Sequence, residues 1–186
     1  MSKSVAYIAG VDLGGTKIAT ALLTTEGHIV ERKRLDTLAE EGPDAVIERM
    51  AQSVRDVQKG RPILGVGVGT PGPLDSKKGV VLHGPNLAGW TNVPLRDRLQ
   101  NLLQTEVKVE NDANAAAWGE YVFGAGKGTK NMVYITISTG IGSGLVLNGE
   151  LFVGSNSFAG ELGHTIIDPS GPKCGCGNVG CWEACA

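Results

Sequence analysis

Residues 11–23, VDLGGTKIATALL, decide the fold, because residues 137–149, ISTGIGSGLVLNG, repeat their plan. Each segment predicts a buried strand, then a glycine turn with Thr or Ser, then a second strand. The aligned residues are Asp12 with Thr139, Gly15 with Gly142, and Thr16 with Ser143. Such a repeat predicts two related halves, and two glycine turns would offer backbone N–H groups to phosphate. The alternative is two ordinary glycine hairpins without a ligand.

The remaining pattern is that of a mixed α/β protein. Strands are predicted over 5–11, 18–23, 27–32, 63–68, 106–109, 132–137 and 145–147. Helices are predicted over 43–59 and 94–103, and a third begins within ENDANAAAWGEY. The apolar stripes of the first two helices are Val46, Met50, Val54 and Val57, and Leu95, Leu99, Leu102 and Leu103.

Composition excludes several classes of function. A chain of 186 residues fits one to two domains. The net charge of −2, with 5% aromatic residues and no basic stripe, does not indicate a nucleic-acid-binding surface. Met1 to Ser4 lead into an apolar stretch too short for a signal peptide, and no apolar run is long enough to span a membrane. We expect a cytoplasmic protein.

A zinc site is predicted near the end of the sequence. Cys174, Cys176 and Cys181 lie in CGCGNVGC, and His164 lies upstream in AGELGH. Three thiols and one imidazole make a complete tetrahedral zinc set. A disulfide is the alternative, but a reducing cytosol favours metal at this spacing. Cys185 competes with His164 for the fourth position, and His164 is preferred because Cys185 is expected one helical turn past Cys181.

Polar residues elsewhere predict a site for a hydroxylated ligand. Asn111 and Asp112 lie between a strand end and a helix start, where they would either cap the helix or, for Asp112, accept a proton from a substrate hydroxyl. A helix N-terminus favours the ionised carboxylate. Trp90 is expected in the core. The side chains that together supply the donors and acceptors for a sugar are Asn86, Asn111, Glu161, His164 and Glu183.

The order of the motifs resembles the ROK family of sugar kinases and sugar-responsive repressors, and above all its bacterial glucokinase branch. These motifs are DLGGTK, GTPGPLD, GPNLAGW, ENDANAAA, STGIGSG, AGELGH and CGCGNVGCWE. The resemblance implies an actin-like, ribonuclease-H-like duplicated α/β fold. Residues 1–112 would form the N-terminal lobe and 113–186 the start of a C-terminal lobe, with a zinc-binding loop at 164–181. It also implies ATP-dependent phosphorylation of a hexose, with D-glucose as the favoured substrate, and it implies Mg²⁺ and a structural Zn²⁺ as cofactors.

Matching positions imply a role for each site residue. Asp112 is the implied catalytic base. The implied sugar-binding residues are Asn86, Asn111, Asp112, Glu161, His164 and Glu183. The implied nucleotide-binding residues are Asp12, Gly14, Gly15, Thr16, Lys17, Thr139 and Gly140, with Asp12 near the magnesium. The implied zinc ligands are His164, Cys174, Cys176 and Cys181.

Alternatives and departures accompany this resemblance. Another hexose (N-acetylmannosamine, allose or fructose) is an alternative substrate, and polyphosphate an alternative donor. A repressor would need a helix-turn-helix ahead of Val11, where ten residues leave no room. The sequence stops three residues after Glu183, so we expect an N-terminal piece of a kinase with weak or no activity; turnover near 10 s⁻¹ would contradict this. The longer protein is expected to be a homo-oligomer.

Overall fold

The structure is a computed structural model that describes residues 5–186. The chain divides into two compact units, Met1–Asp112 and Ala113–Ala186. Residues 1–4, which the sequence places ahead of the first strand, lie outside the described residues. Within residues 5–186, no helix is long and apolar enough to cross a membrane.

The first unit contains eight strands and two α-helices among its described residues. In chain order these are β1 (Tyr7–Leu13), β2 (Lys17–Thr24), β3 (Ile29–Asp36), α1 (Gly42–Gln58), β4 (Ile63–Thr70), β5 (Leu74–Asp75), β6 (Val80–His83), β7 (Thr91–Val93), α2 (Leu95–Leu103) and β8 (Val107–Asn111). A short 3₁₀ helix, Ala39–Glu41, precedes α1. The strands and helices predicted here are confirmed, with ends that shift by a few residues.

A five-stranded sheet in the order β3-β2-β1-β4-β8 forms the centre of this unit. The first three strands are antiparallel neighbours, whereas β1, β4 and β8 run parallel. Parallel neighbours require long crossover connections, and α1 and α2 lie in those connections. The carboxyl ends of β1, β4 and β8 therefore meet at one edge of the sheet.

The predicted apolar stripe of α1 is buried against this sheet, since Val46, Met50, Val54 and Val57 are each at most 2% exposed. A hydroxyl pair lies in the same layer: the Oγ1 of Thr20 and the Oγ of Ser53 are 2.7 Å apart. Leu95 and Leu99 of α2 are buried, while Leu102 and Leu103 are partly buried beside the same core. Trp90 is 1% exposed, as expected for a core residue.

A small three-stranded sheet, β5-β6-β7, was not predicted from the sequence. Two of its strands have only two and three residues, too few for an alternating pattern. Val81 of β6 is fully buried and anchors this sheet in the core. The loop between β6 and β7 contains Asn86.

The second unit begins inside helix α3 (Asp112–Phe123) and contains β9 (Met132–Ile137), β10 (Ile141–Leu147) and β11 (Glu150–Leu151). A 3₁₀ helix, Leu162–His164, and a short helix α4, Trp182–Cys185, follow. The three strands form one sheet in the order β11-β10-β9. A Cβ at Gly144 would lie 2.5 Å from the Cβ of Ala117, so glycine there lets α3 pack closely on β10.

Both units contain the predicted strand–turn–strand hairpin, but the residue alignment is wrong. The first turn comprises residues 14–16, between Leu13 and Lys17. The second comprises residues 138–140, so Gly142 and Ser143 lie inside β10 and not in a turn beside Gly15 and Thr16. The reason is packing: a Cβ at Gly142 would lie 3.1 Å from the Cβ of Ala113, so this glycine serves the contact with α3.

The two hairpins differ in what covers them. In the first unit Ala9, Val11 and Leu13 alternate along β1 and are at most 4% exposed. In the second unit Val133, Ile135 and Ile137 alternate along β9 and are 56%, 43% and 70% exposed. β9 also lies at the edge of its sheet. An exposed apolar edge strand of this kind favours pairing with another β-strand.

Candidate active site and metal centre

The first glycine turn, residues 14–16, is held in shape by the buried Thr37. The Oγ1 of Thr37 donates to the carbonyl of Gly14 at 2.7 Å, and its N–H donates to the carbonyl of Thr16 at 2.8 Å. The N–H of Gly14 donates to the carbonyl of Lys17 at 2.8 Å. Sequence reasoning missed Thr37, because a single Thr after a strand gives no signal until the chain folds back on the turn.

Asn86 lies directly against this turn. A Cβ added at Gly15 would lie 2.7 Å from the Cβ of Asn86 and 2.9 Å from its carbonyl oxygen. Real Cβ atoms do not approach so closely, so glycine is required at position 15 for the β6–β7 loop to lie here. A predicted phosphate-binding residue and a predicted sugar-binding residue are thus neighbours within the first unit.

Two carboxylates lie at the same edge of the sheet, near enough for their charges to interact. Asp12 is the penultimate residue of β1, and Asp112 follows β8 as the first residue of α3. Partial burial, followed by the negative charge of Asp112, raises the pKa of Asp12 above its ordinary value, and Arg34 offsets part of that shift. Asn111 ends β8, paired with Thr70 of β4. The structure therefore places Asp12, Asn111 and Asp112 at one edge of the sheet, and Asn86 against the turn that follows β1.

The second glycine turn, residues 138–140, receives a carboxylate from the end of the chain. The N–H of Ser138 donates to the carbonyl of Gly140 at 2.9 Å. The N–H of Ile141, immediately after the turn, donates to Oε2 of Glu183 at 2.7 Å. A Cβ at Gly140 would overlap that carboxylate. Glu183, predicted to bind sugar, therefore also contacts the backbone beside the predicted phosphate-binding pair Thr139 and Gly140.

Residues 160–185, here called the metal knot, bring four metal-ligating side chains together. One ligand atom each from His164, Cys174, Cys176 and Cys181 lies within 4.8 Å of all the others. Nδ1 of His164 is 3.6 Å from Sγ of Cys174, and the Sγ atoms of Cys176 and Cys181 are 3.6 Å apart. Tetrahedral Zn²⁺ with bonds of about 2.3 Å to sulfur sets sulfur atoms about 3.8 Å apart. The donor set and its spacing therefore fit zinc. Cys185, the rival ligand, is exposed and outside this group.

Backbone bonds shape the knot. The N–H of Cys174 donates to the carbonyl of Asn178 at 2.8 Å. Gly180 has φ of 73°, and a Cβ there would overlap the carbonyl of Asp168, so this position requires glycine. Ile166 bridges to Cys181. The ligand residues are thus held by main-chain contacts on each side.

The thiols of the knot differ in acidity. Burial, followed by the neighbouring thiols of Cys176 and Cys174, raises the pKa of Cys181 to about 12. The backbone N–H of Asn178 contributes most to lowering the pKa of Cys176. Metal ligation requires thiolates, so a cation in the knot would displace the proton of Cys181.

His164 uses its two ring nitrogens differently. Nδ1 points to Cys174, whereas Nε2 lies 4.0 Å from Oε2 of Glu161. A ring held by a metal at one nitrogen offers the other to a hydrogen-bond partner. The structure thus places Glu161, His164 and Glu183, the predicted sugar-binding residues of the second unit, on the metal knot.

Comparison with known proteins decides the family. The sequence pattern of the ROK family matches residues 8–186. The chain belongs to the ROK family. The glucokinase of Thermotoga maritima is 44% identical over 179 residues, which cover 96% of this chain and 56% of the relative. The chain thus spans about half the length of the curated relatives it matches.

Solved ROK structures confirm the predicted actin-like α/β fold. The ROK hexokinase of Thermus thermophilus matches with a TM-score of 0.87 and 40% identity, over 96% of this chain and 59% of that one. The ROK glucokinase of Streptomyces griseus, in complex with glucose and AMPPNP, matches with a TM-score of 0.85 and 39% identity, over 96% and 56%.

Relatives with other names match nearly as well. The N-acetylmannosamine kinase of Escherichia fergusonii is 41% identical over 95% of this chain and 60% of its own length. The xylose repressor of Bacillus subtilis is 38% identical over 98% of this chain and 48% of its own length. Family membership alone therefore leaves the sugar open.

Proposed function

We propose that the protein is an ATP-dependent hexose kinase that converts D-glucose to glucose 6-phosphate. The observation that carries this proposal is the placement of two carboxylates, Asp12 and Asp112, at the sheet edge where parallel strands end beside a glycine turn. Phosphoryl transfer needs a positioned base and a place for the charge of the phosphates. The glucokinase names of relatives 40–44% identical to this chain support glucose as the sugar.

Asp112 would act as the general base. It would orient the sugar hydroxyl and take its proton late, as the hydroxyl oxygen bonds to the γ-phosphorus and the bond from that phosphorus to the ADP oxygen breaks. An alcohol is too weak an acid to ionise beforehand. The position of Asp112 at the N-terminus of α3 favours its charged form.

Asp12 would bind near Mg²⁺. Its carboxylate is the kind of hard oxygen ligand that Mg²⁺ prefers. Burial and the nearby charge of Asp112 both disfavour its ionised form, and a bound cation would offset that cost. When bound, Mg²⁺ would neutralise charge on the phosphate oxygens. The backbone of Gly14, Gly15 and Thr16, with Lys17, would bind phosphates from the first turn, and Thr139 and Gly140 from the second.

The hexose would be bound by the polar side chains that the sequence predicts for this role. Asn86 and Asn111 would contribute amide donors and acceptors, and Glu161, His164 and Glu183 would bind hydroxyls from the metal knot. The zinc ligands would be His164, Cys174, Cys176 and Cys181, with a structural role because four protein ligands leave no open position.

A hexose panel with a matched pair of variants tests this proposal. Because the chain spans about half the length of its relatives, sugar binding by calorimetry is measured as well as ADP release. Asp112→Asn keeps the size of the side chain and one acceptor oxygen but removes the base. We expect whatever turnover the parent chain shows to fall by about 10²–10⁴, or below detection, while Asp97→Asn on the exposed face of α2 leaves both turnover and sugar binding unchanged. Near-normal turnover of Asp112→Asn would show that Asp112 is not the general base and only caps helix α3.

An N-acetylmannosamine kinase is the second candidate, favoured by the relative that is 41% identical. The same panel separates the two, since the preferred sugar will show the higher kcat/KM. Saturable binding of N-acetylmannosamine without binding of glucose would overturn the choice of glucose and keep the kinase.

A further inference from the structure

We propose that Glu183 is a positioning residue that ties the second glycine turn, residues 138–140, to the metal knot. The conformation of this turn would then depend on an intact knot. The role of this turn in nucleotide binding rests on the proposed function. The contact between Glu183 and the turn, here called the tether, does not depend on that function.

The tether is a charge-assisted hydrogen bond. Oε2 of Glu183 accepts the N–H of Ile141 at 2.7 Å. A carboxylate acceptor makes such a bond stronger than one between neutral groups. Ile141 is the first residue of β10, so this bond fixes the point at which the turn re-enters the sheet. Gly140 leaves the space the carboxylate occupies, because a Cβ there would overlap Oε2.

The position of Glu183 is set by a metal-ligating residue. Glu183 lies two residues after Cys181, in α4. The N–H of Trp182, between them, donates to the carbonyl of Thr165 at 2.9 Å, and Cys181 itself bridges to Ile166. The carboxylate is therefore held by backbone that also places Cys181.

A second contact acts in the same direction. Gly163, next to the ligand His164, packs on the carbonyl of Ile141 without room for a Cβ. The N–H of Leu162 donates to Oγ of Ser143 at 3.2 Å. The knot thus contacts the first residues of β10 through Glu183, Gly163 and Leu162, each within two residues of a metal ligand.

This arrangement divides the work of Glu183. Oε2 already accepts from the N–H of Ile141, while both lone-pair positions of Oε1 are left for a sugar hydroxyl. The N–H of Ile141 is likewise committed to a carboxylate and would not bind phosphate. Glu183 would therefore act on the sugar directly and on the turn through Ile141.

Hydrogen exchange of the Ile141 amide, followed by NMR with metal content measured on the same samples, tests the tether without any substrate. In Glu183→Ala we expect exchange to accelerate about 10- to 100-fold, the range for losing a bond to a charged acceptor, with metal content retained. Gly140→Ala should displace the carboxylate and accelerate exchange similarly, again with full metal content. Glu150→Ala, the same substitution at an exposed acid of the same unit in β11, is the matched control and should leave this amide unchanged.

Removing the metal with a strong chelator should accelerate Ile141 exchange at least as much as Glu183→Ala does. If both Glu183→Ala and Gly140→Ala keep parental protection, the tether is wrong. If they accelerate exchange but metal removal does not, the link from knot to turn is wrong. A protein that passes these tests yet binds no hexose would overturn the proposed function and leave the tether standing.

Discussion

Loss of one zinc ligand should unfold the metal knot and leave the first unit folded. Cys176→Ser is the sharpest perturbation, because Cys176 is exposed whereas Cys174 and Cys181 are 4% and 0% exposed. Replacing an exposed sulfur by oxygen creates no cavity, so the effect reports on ligation alone. Cys185→Ser is the matched control, an exposed thiol outside the four-ligand group.

The expected magnitude follows from how little else stabilises the knot. Among the described residues from position 152 onward, the only buried apolar side chains are Cys174 and Cys181. Burying two side chains contributes at most about 3–6 kcal/mol, whereas binding of structural zinc is worth about 10–16 kcal/mol. A whole domain is typically stable by about 5–15 kcal/mol. Without metal, the knot therefore lacks the free energy to stay ordered.

Three measurements on one sample check this prediction. Elemental analysis should find about one zinc per parent chain and much less in Cys176→Ser. Exchange mass spectrometry should show lost protection over residues 160–185, with the core around α1 unchanged. Calorimetry should show weaker sugar binding, because His164 and Glu161 lose their positions. A zinc-depleted variant with parental protection in the knot would refute the argument, and depletion with unchanged sugar affinity would separate the knot from the sugar.

Three further outcomes are expected. Asp12→Asn should raise the free energy of unfolding at pH 7, because the pKa of Asp12 is raised in the folded state and its ionised form therefore destabilises the fold above that pKa. The gain should vanish well below the ordinary pKa of 3.8, where Asp12 is protonated in both the folded and the unfolded state. Equal denaturant midpoints at pH 7 would contradict this. Met50→Ala should cost about 2–5 kcal/mol in denaturant unfolding, against about 0.5 kcal/mol or less for the exposed Glu48→Ala; equal losses would mean that α1 does not form the core. Ile135→Lys should reduce any self-association seen by light scattering, because a charge blunts an apolar edge strand; unchanged association would place the contact elsewhere.

Sequence patterns predicted most of the first unit because its elements are long and periodic. The α1 stripe through Met50 and Val54 repeats at helical spacing, and burial follows from it. The sheet β5-β6-β7 escaped prediction because its strands are too short to have a period. Glycine was the main source of error, because the sequence does not show whether a glycine serves a turn or a close packing contact. Gly142 was expected in a turn, but it lies in β10, where the close approach of α3 requires it.

The candidate site was predictable where residue chemistry is selective. Three closely spaced thiols and an imidazole have few uses besides a metal, and the structure assembles them. Thr37 was not predictable, because its bonds to the first turn link residues 23 positions apart. The bond from Ile141 to Glu183 spans 42 positions and joins two motifs that the sequence presents separately.

The identity of the sugar is the least accessible property, for an energetic reason. Relatives named glucokinase, N-acetylmannosamine kinase and xylose repressor share 44%, 41% and 38% identity with this chain. An extra group on a substrate changes discrimination by about 1–3 kcal/mol, which one or two contacts supply. A few per cent of identity spread over the whole chain cannot resolve one or two contacts. For the proposed kinase we expect substrate choice to depend on the shape of the pocket near the sugar's 2-position, which direct binding of paired hexoses measures and overall similarity does not.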